Sequence, residues 1–219
     1  MLIAIGTPKP GERRPPGQAG KPSGWLGRFV LWTMNRGHSS LTDWGLPHVA
    51  VGARDVVLDV GCGGGRTVGK LATLAREGRV CGLDHSETSV AVSRRANRRW
   101  IAEGRVEIRQ GSVSALPYAD ATFDLVTAVE THFFWPDLPH DLQEVRRVLK
   151  PGGRVLLIAE FYNGGKHTRY AERLSRFVGM ASLTVDEHRE LLSKAGFADV
   201  EVTEESRRGW LCAIGRKPA

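Results

Sequence analysis

Along the chain the apolar positions change period, and each change marks an element. Trp25, Leu26, Phe29, Val30 and Trp32 fall three and four apart, the spacing of a helix with one broad apolar face, and Asn35-Arg36-Gly37 supplies a stop signal. A second short helical piece is expected near 41–51. From Asp55 onward the pattern becomes a regular alternation. Val56-Val57-Leu58-Asp59-Val60 is a continuous apolar run that ends in glycines, as a central parallel strand covered on both faces would read. It is followed by a helix at 67–76, a strand at 79–83, a helix at 89–103, and strands at 106–109 and 123–129. A helix at 141–149, closed by Lys150-Pro151-Gly152-Gly153, leads into a strand at 154–160. A helix at 186–195 capped by Gly196 and two late strands at 199–203 and 210–214 complete the series. Strand and helix alternating in this way predict an α/β fold, a doubly wound and mostly parallel sheet with helices on both faces and right-handed crossovers.

Composition narrows the picture. With 219 residues, 41% of them apolar and 25% charged, the chain suits one domain with a real core and excludes wholesale disorder or a fibrous class. Its mean hydropathy of -0.25, with no apolar run near the ~20 residues that cross a bilayer, predicts no membrane span. Residues 1–5 are apolar without a preceding basic residue and too few for a secretory signal, so export is not expected. Residues 1–24 read as a flexible arm rich in Pro and Gly, in which Lys9, Arg13, Arg14 and Lys21 against Glu12 supply +3 of the net +7. Residues 25–219 read as a single domain. Arg94, Arg95, Arg98 and Arg99 repeat at helical spacing, and without interleaved aromatic residues they read as a solvated helix face rather than an RNA-binding surface. Three distant cysteines, Cys62, Cys81 and Cys212, form no disulfide framework and no zinc cluster; free thiols, a cytoplasmic setting and no bound metal are expected.

The candidate chemistry sits where the first strand ends. Ligands of open α/β sheets bind beyond the carboxyl ends of the strands, where the winding reverses. There the sequence reads Asp59-Val60-Gly61-Cys62-Gly63-Gly64-Gly65 and runs into a helix whose N-terminus favours an anionic group. A side chain at Gly61 or Gly63 would hold the backbone off a ligand or demand an unfavourable φ. A dinucleotide fingerprint starting at Gly61 would need glycine at 66, where Arg66 stands, so a nicotinamide oxidoreductase is disfavoured. Asp84, nineteen residues after Gly65 at the end of the second strand, can accept from both hydroxyls of a ribose; the alternative is an N-cap to the next helix.

These residues resemble the class I S-adenosylmethionine-dependent methyltransferases, most closely the compact, type 11 group related to quinone-biosynthesis enzymes. Four segments carry the resemblance: VVLDVGCGGGRTV at 56–68, VCGLDHS at 80–86, FDLVTAVETHFFWPDL at 123–138 and EVRRVLKPGGRVLLI at 144–158. The resemblance implies a Rossmann-like sheet of seven strands with an antiparallel last strand. It further implies a cofactor-binding core over 55–160, an N-terminal helical cap over 25–54 and a lid over 161–185. S-adenosylmethionine would lie with its methionine part against Gly61, Cys62 and Gly63, with Asp59 ordering the loop, Asp84 on the ribose and His85 flanking the adenine. Ser112 and Val113 match the segment that reads the adenine amino group, with a hydroxyl where the family usually has a carboxylate. Glu130 would stand beside the sulfonium. Asn35 and His38 could lie near the cofactor carboxylate, or serve the helix C-terminus locally.

Methyl transfer requires alignment and exclusion of water, and a base only when the acceptor must lose a proton. His132 is the candidate base; otherwise it lines the pocket or caps the next helix. Phe133, Phe134 and Trp135 either face an apolar acceptor or fill space under that helix, and Asp137 starts the helix. Tyr162, His167, Arg169 and Tyr170 could orient a substrate from the lid, or belong to a surface helix. The expected activity is methyl transfer to a small molecule, releasing S-adenosylhomocysteine, by a monomer or homodimer without nucleic-acid partners. The alternatives are an RNA or protein methyltransferase and a non-catalytic cofactor-binding relative.

Overall fold

The computed structural model describes residues 39–160, 162–169 and 181–219. The arm, the helix expected from Trp25, the candidates Asn35 and His38, and Tyr170 lie outside the described residues. The chain enters through α1 (Ser39–Gly45) and a 3-10 turn at Leu46–His48. The alternation follows: β1 (Val56–Val60), α2 (Arg66–Leu74), β2 (Arg79–Asp84), α3 (Glu87–Ala96), α4 (Arg98–Ala102), β3 (Val106–Gln110) and β4 (Phe123–Val129). It closes with α5 (Leu138–Val148), β5 (Leu149–Ala159), α6 (Val185–Lys194), β6 (Ala198–Glu205) and β7 (Trp210–Arg216).

The seven strands form one sheet in the order β3-β2-β1-β4-β5-β7-β6. β1 pairs in parallel with β2 on one side and β4 on the other, and β7 runs antiparallel to both of its neighbours. The winding therefore reverses between β1 and β4, and the carboxyl ends of those two strands flank the crevice. Successive β1 residues point to opposite faces. Val57 packs with Leu41, Val68, Leu71 and Val90, whereas Leu58 packs with Leu142, Val145 and Leu192. Both faces of the strand are covered, which is why its sequence is apolar without alternation.

Three expectations need correction. The helix expected at 89–103 breaks at Asn97, whose buried amide donates to the carbonyls of Gly65 (2.9 Å) and Ser93 (3.0 Å). An Asn whose amide is committed to a neighbouring loop trades helix continuity for a tertiary bond. The four arginines consequently do not share one helix face. Arg94 donates to the Ile108 carbonyl, and Arg99 pairs with Glu103. Second, Lys150-Pro151-Gly152-Gly153 does not merely close a helix: it belongs to β5, where Lys150 Nζ bonds the Asp124 carboxylate at 2.8 Å and the Gly152 N–H donates to Lys217 O at 2.9 Å. Third, α5 starts at Leu138 rather than 141, because Asp137 caps it by accepting from the His140 N–H.

Candidate functional site

The loop after β1 is held open by backbone geometry. Gly61, Gly63 and Gly65 have φ of 72°, 50° and 79°, the left-handed region where a side chain is strained. The N–H groups of Gly61 and Cys62 both donate to Leu83 O, at 2.8 and 3.0 Å, and tie the loop to the end of β2. A Cβ on Gly61 would stand 2.5 Å from Cγ2 of Thr131, whose hydroxyl donates to Val60 O at 3.0 Å. Glycine is thus required here by its φ and by the turn after β4, contacts that lie within the protein itself.

Asp84 stands at the end of β2, nearly buried. Its Oδ2 accepts from the Gly63 N–H and its Oδ1 from the Ser86 N–H, both at 2.9 Å. The N-cap alternative for Asp84 is corrected: the cap of α3 is Ser86, whose side chain accepts from the Ser89 N–H. His85 beside it is exposed, with Nδ1 3.8 Å from Asp84 Oδ1. Cys62 lies buried under the loop with Sγ 3.7 Å from Ser93 Oγ, and burial, then the nearby acids Asp59 and Asp84, push its thiol pKa well up.

Asp59 is fully enclosed and accepts from the Thr127 hydroxyl at 2.7 Å. Burial raises its carboxyl to about 7; the Thr127 bond opposes the rise and the Asp84 charge adds to it. Glu130 follows β4 at φ 57°, buried, accepting through Oε1 from the Glu160 N–H. Burial first, then the Glu160 charge, raise its pKa well above the usual carboxylate range. Among the described residues none of Asp59, Asp84 and Glu130 forms a salt bridge with a lysine or arginine. Buried acids without basic partners favour their neutral forms, and a cation brought beside them would favour the charged ones.

In the turn after β3 Ser112 is exposed and its hydroxyl already accepts from the Ser114 N–H at 3.2 Å, while Val113 is buried. His132 is buried in the turn after β4, its Nε2 3.1 Å from Nε2 of His188 on α6. His188 Nδ1 in turn lies 2.7 Å from Thr184 O. Burial, and then His188, hold the His132 pKa well below its ordinary value. Phe133 and Trp135 are buried, Phe133 against Ala159 and Trp135 with Leu138 and Leu142, so this part of the aromatic run fills space; Phe134 is half-buried. Tyr162 is buried, and His167 lies against the Arg208 carbonyl at 3.1 Å. No group of three or more potential metal ligands occurs among the described residues.

The raised Asp59 carboxyl has a stability signature. An acid with a higher pKa in the folded state than in the unfolded one binds extra protons when native, so its contribution falls as pH rises from about 4 to about 7. Asp59→Asn removes that fall. The melting-temperature difference, variant minus parent, should grow more positive between pH 4.5 and pH 7.5; a constant difference would refute the assignment.

Comparison with known proteins fits this geometry. The family described as "Methyltransferase domain" matches residues 58–157. The chain is 33% identical over 196 residues to the 27-O-demethylrifamycin SV methyltransferase of Amycolatopsis mediterranei, covering 84% of this chain and 70% of that one. The chain belongs to the class I S-adenosylmethionine-dependent methyltransferases. Other curated relatives of this methyltransferase are longer, and the chain spans 58% and 54% of two of them. Among solved structures, a putative methyltransferase in complex with the Haloferax volcanii Trm112 activator matches at TM-score 0.76 and 24% identity, over 89% of this chain and 96% of that one. A Haemonchus contortus phosphoethanolamine N-methyltransferase in complex with S-adenosylhomocysteine matches at TM-score 0.75 and 16% identity, over 87% and 57%.

The methyltransferase thus brings Asp59, Gly61, Cys62, Gly63 and Asp84 together at the ends of β1 and β2, with Glu130 and His132 across the crevice at the end of β4. Sequence reasoning missed Thr127, Thr131, Thr184 and His188. For the last pair a signal was available: Thr184-Val185-Asp186-Glu187 is a capping box, which fixes a helix start and puts His188 one turn inside it.

Proposed function

We propose that this methyltransferase transfers a methyl group from S-adenosylmethionine to a small-molecule acceptor by in-line displacement, using a cofactor-binding core over 55–160. The observation that carries the reading is the trio of buried acids, Asp59, Asp84 and Glu130, with no lysine or arginine paired to them among the described residues. Asp84 suits a ribose diol, and a sulfonium cation beside Glu130 would offset the burial that raises its pKa. Asp84 would hold the ribose hydroxyls with the lone pairs left over from its two N–H bonds. The left-handed turn at Gly61 to Gly63 would receive the methionine part, with Asp59 bracing the loop and Glu130 facing the sulfonium. His85 would flank the adenine beside Val113. The Ser112 hydroxyl, already committed to Ser114, would leave adenine recognition to main-chain groups.

When bound, the cofactor supplies an electrophilic methyl group whose sulfur loses its charge on transfer. The chain's own work is to hold nucleophile and methyl in line and to exclude water, which is worth on the order of 7–11 kcal/mol. A small-molecule acceptor is supported by the rifamycin relative, whose name puts the methyl on an oxygen of a small molecule. No described helix is long and apolar enough to cross a membrane, and the three cysteines are free and buried, in keeping with a reducing cytoplasmic setting. A nucleic-acid acceptor loses support because the break at Asn97 divides the arginine cluster between two helices. Calorimetric titration should give saturable binding of S-adenosylmethionine and none of NADH. Incubation with metabolite pools should then release S-adenosylhomocysteine, whereas RNA and protein pools should not; the reverse pattern would overturn the reading.

A further inference from the structure

The capping box at the start of α6 has an effect beyond helix stability. Thr184 Oγ1 accepts from the Glu187 N–H at 3.1 Å, and Glu187 Oε2 accepts from the Thr184 N–H at 2.7 Å, which fixes the Thr184 peptide. The Thr184 carbonyl can only accept, so His188 Nδ1, 2.7 Å away, carries the proton of that bond. A neutral His188 then presents a bare Nε2. His132 Nε2, 3.1 Å from it, must be the donor, since two bare nitrogens at that distance would repel. One consequence remains for a neutral His132: its Nδ1 carries a lone pair. That nitrogen is buried and has no hydrogen-bond partner among the described residues.

A buried lone pair without a donor is costly to keep and invites a donor from a ligand. Its position suits the acceptor. His132 follows Thr131, which packs on the Gly61 turn, and belongs to the stretch after β4 that borders the crevice. Ser182 Oγ is also buried and without a hydrogen-bond partner among the described residues, next to Ala181, whose N–H donates to the Phe133 carbonyl in the same turn.

We propose that His132 Nδ1 accepts the proton of an acidic hydroxyl, phenolic or enolic, on the methyl acceptor, and that His188 is the positioning residue that keeps that nitrogen bare. The inference rests on the methyltransferase reading above and adds the class of acceptor. In the step, the acceptor O–H bond breaks and its proton passes to Nδ1, the oxygen pair forms the new bond to the methyl carbon, and the carbon–sulfur pair stays on sulfur. The proton leaves His132 for solvent as product departs. While it is held, the imidazolium donates through Nε2 to His188, whose own ring is anchored on the Thr184 carbonyl, so the charge is shared along the chain. Acidic hydroxyls are favoured over aliphatic alcohols because an enclosed imidazole is a weak base, and a neutral amine needs no proton removed before attack.

The test has a readout independent of turnover. In nitrogen-15 spectra of the full chain with S-adenosylhomocysteine, His132 should be protonated at Nε2 and bare at Nδ1, and His188 protonated at Nδ1. His188→Phe, which keeps a ring but removes the acceptor, should redistribute the His132 tautomer. It should lower kcat with phenols by at least about tenfold, leave cofactor affinity within about twofold, and His188→Gln should restore part of the rate. His132→Phe should lose about 100-fold or more with phenols. A proton on His132 Nδ1, or full kcat in His132→Phe, would overturn the proposal. If the spectra agree but no acceptor yields S-adenosylhomocysteine, the tautomer assignment stands and the methyl-transfer reading falls.

Discussion

Gly65→Ala should lower the stability of the fold by about 3 kcal/mol and its melting temperature by roughly 6–12 °C. Two separate costs combine. At φ 79° an L residue loses about 1–2 kcal/mol against glycine. The new Cβ would also stand 2.4 Å from Ser93 Oγ, 2.5 Å from Asn97 Nδ2 and 2.9 Å from Ser93 Cα. The first two atoms belong to side chains and could rotate, at the expense of the Asn97 bond to Gly65 O. The third is backbone of α3 and can move only with the helix. Gly104→Ala provides the control, because Gly104 has φ 71° and nothing within 4 Å of a Cβ. It should show the conformational cost by itself, so the gap between the two variants measures the contact between the loop and α3. Equal melting temperatures would mean that the contact carries no weight.

Asp84→Ala should weaken binding of both S-adenosylmethionine and S-adenosylhomocysteine by about 10- to 100-fold, measured by calorimetry. Hydrogen bonds to a charged group contribute about 1.5–3 kcal/mol, and each 1.4 kcal/mol is about tenfold. The carboxylate acts twice. It would accept from the ribose, and it holds the Gly63 and Ser86 N–H groups that shape the loop and the start of α3. Asp84→Asn separates the two roles, since its amide oxygen still accepts from one N–H while the negative charge and the second acceptor are gone. Its loss should be intermediate. Unchanged affinity in the alanine variant would remove Asp84 from the site.

Much of this molecule was legible in its sequence, and the reason is locality. β1 and β4 were bounded to the residue, because their apolar runs are short, continuous and flanked by polar or glycine breaks. The placement of the glycine loop and Asp84 could be read because it depends on residue type and on a spacing within one strand-helix-strand unit. What could not be read depends on partners far away in the chain. Asn97 ends α3 because it reaches Gly65, 32 positions earlier, and helical spacing through Arg94 to Arg99 gives no sign of that. Thr131 determines what Gly61 can carry across 70 positions. The His132 ring takes its chemical character from His188, 56 positions on, which itself answers to a helix cap. In each case a polar side chain satisfies a distant backbone or ring atom, and one-dimensional patterns record only the near ones.

The order of strands also constrains how the chain matures as it is made. Val57 of β1 meets Val80 on one flank soon after synthesis, but on the other flank its neighbour is Leu125. At ~5–20 residues per second, Leu125 leaves the ribosome roughly 3–14 s after Val57. Throughout that interval the most apolar strand of the nascent chain has an unsealed edge, able to recruit any extended segment nearby. Closure of that edge is therefore set by topology, and it waits until β4 arrives.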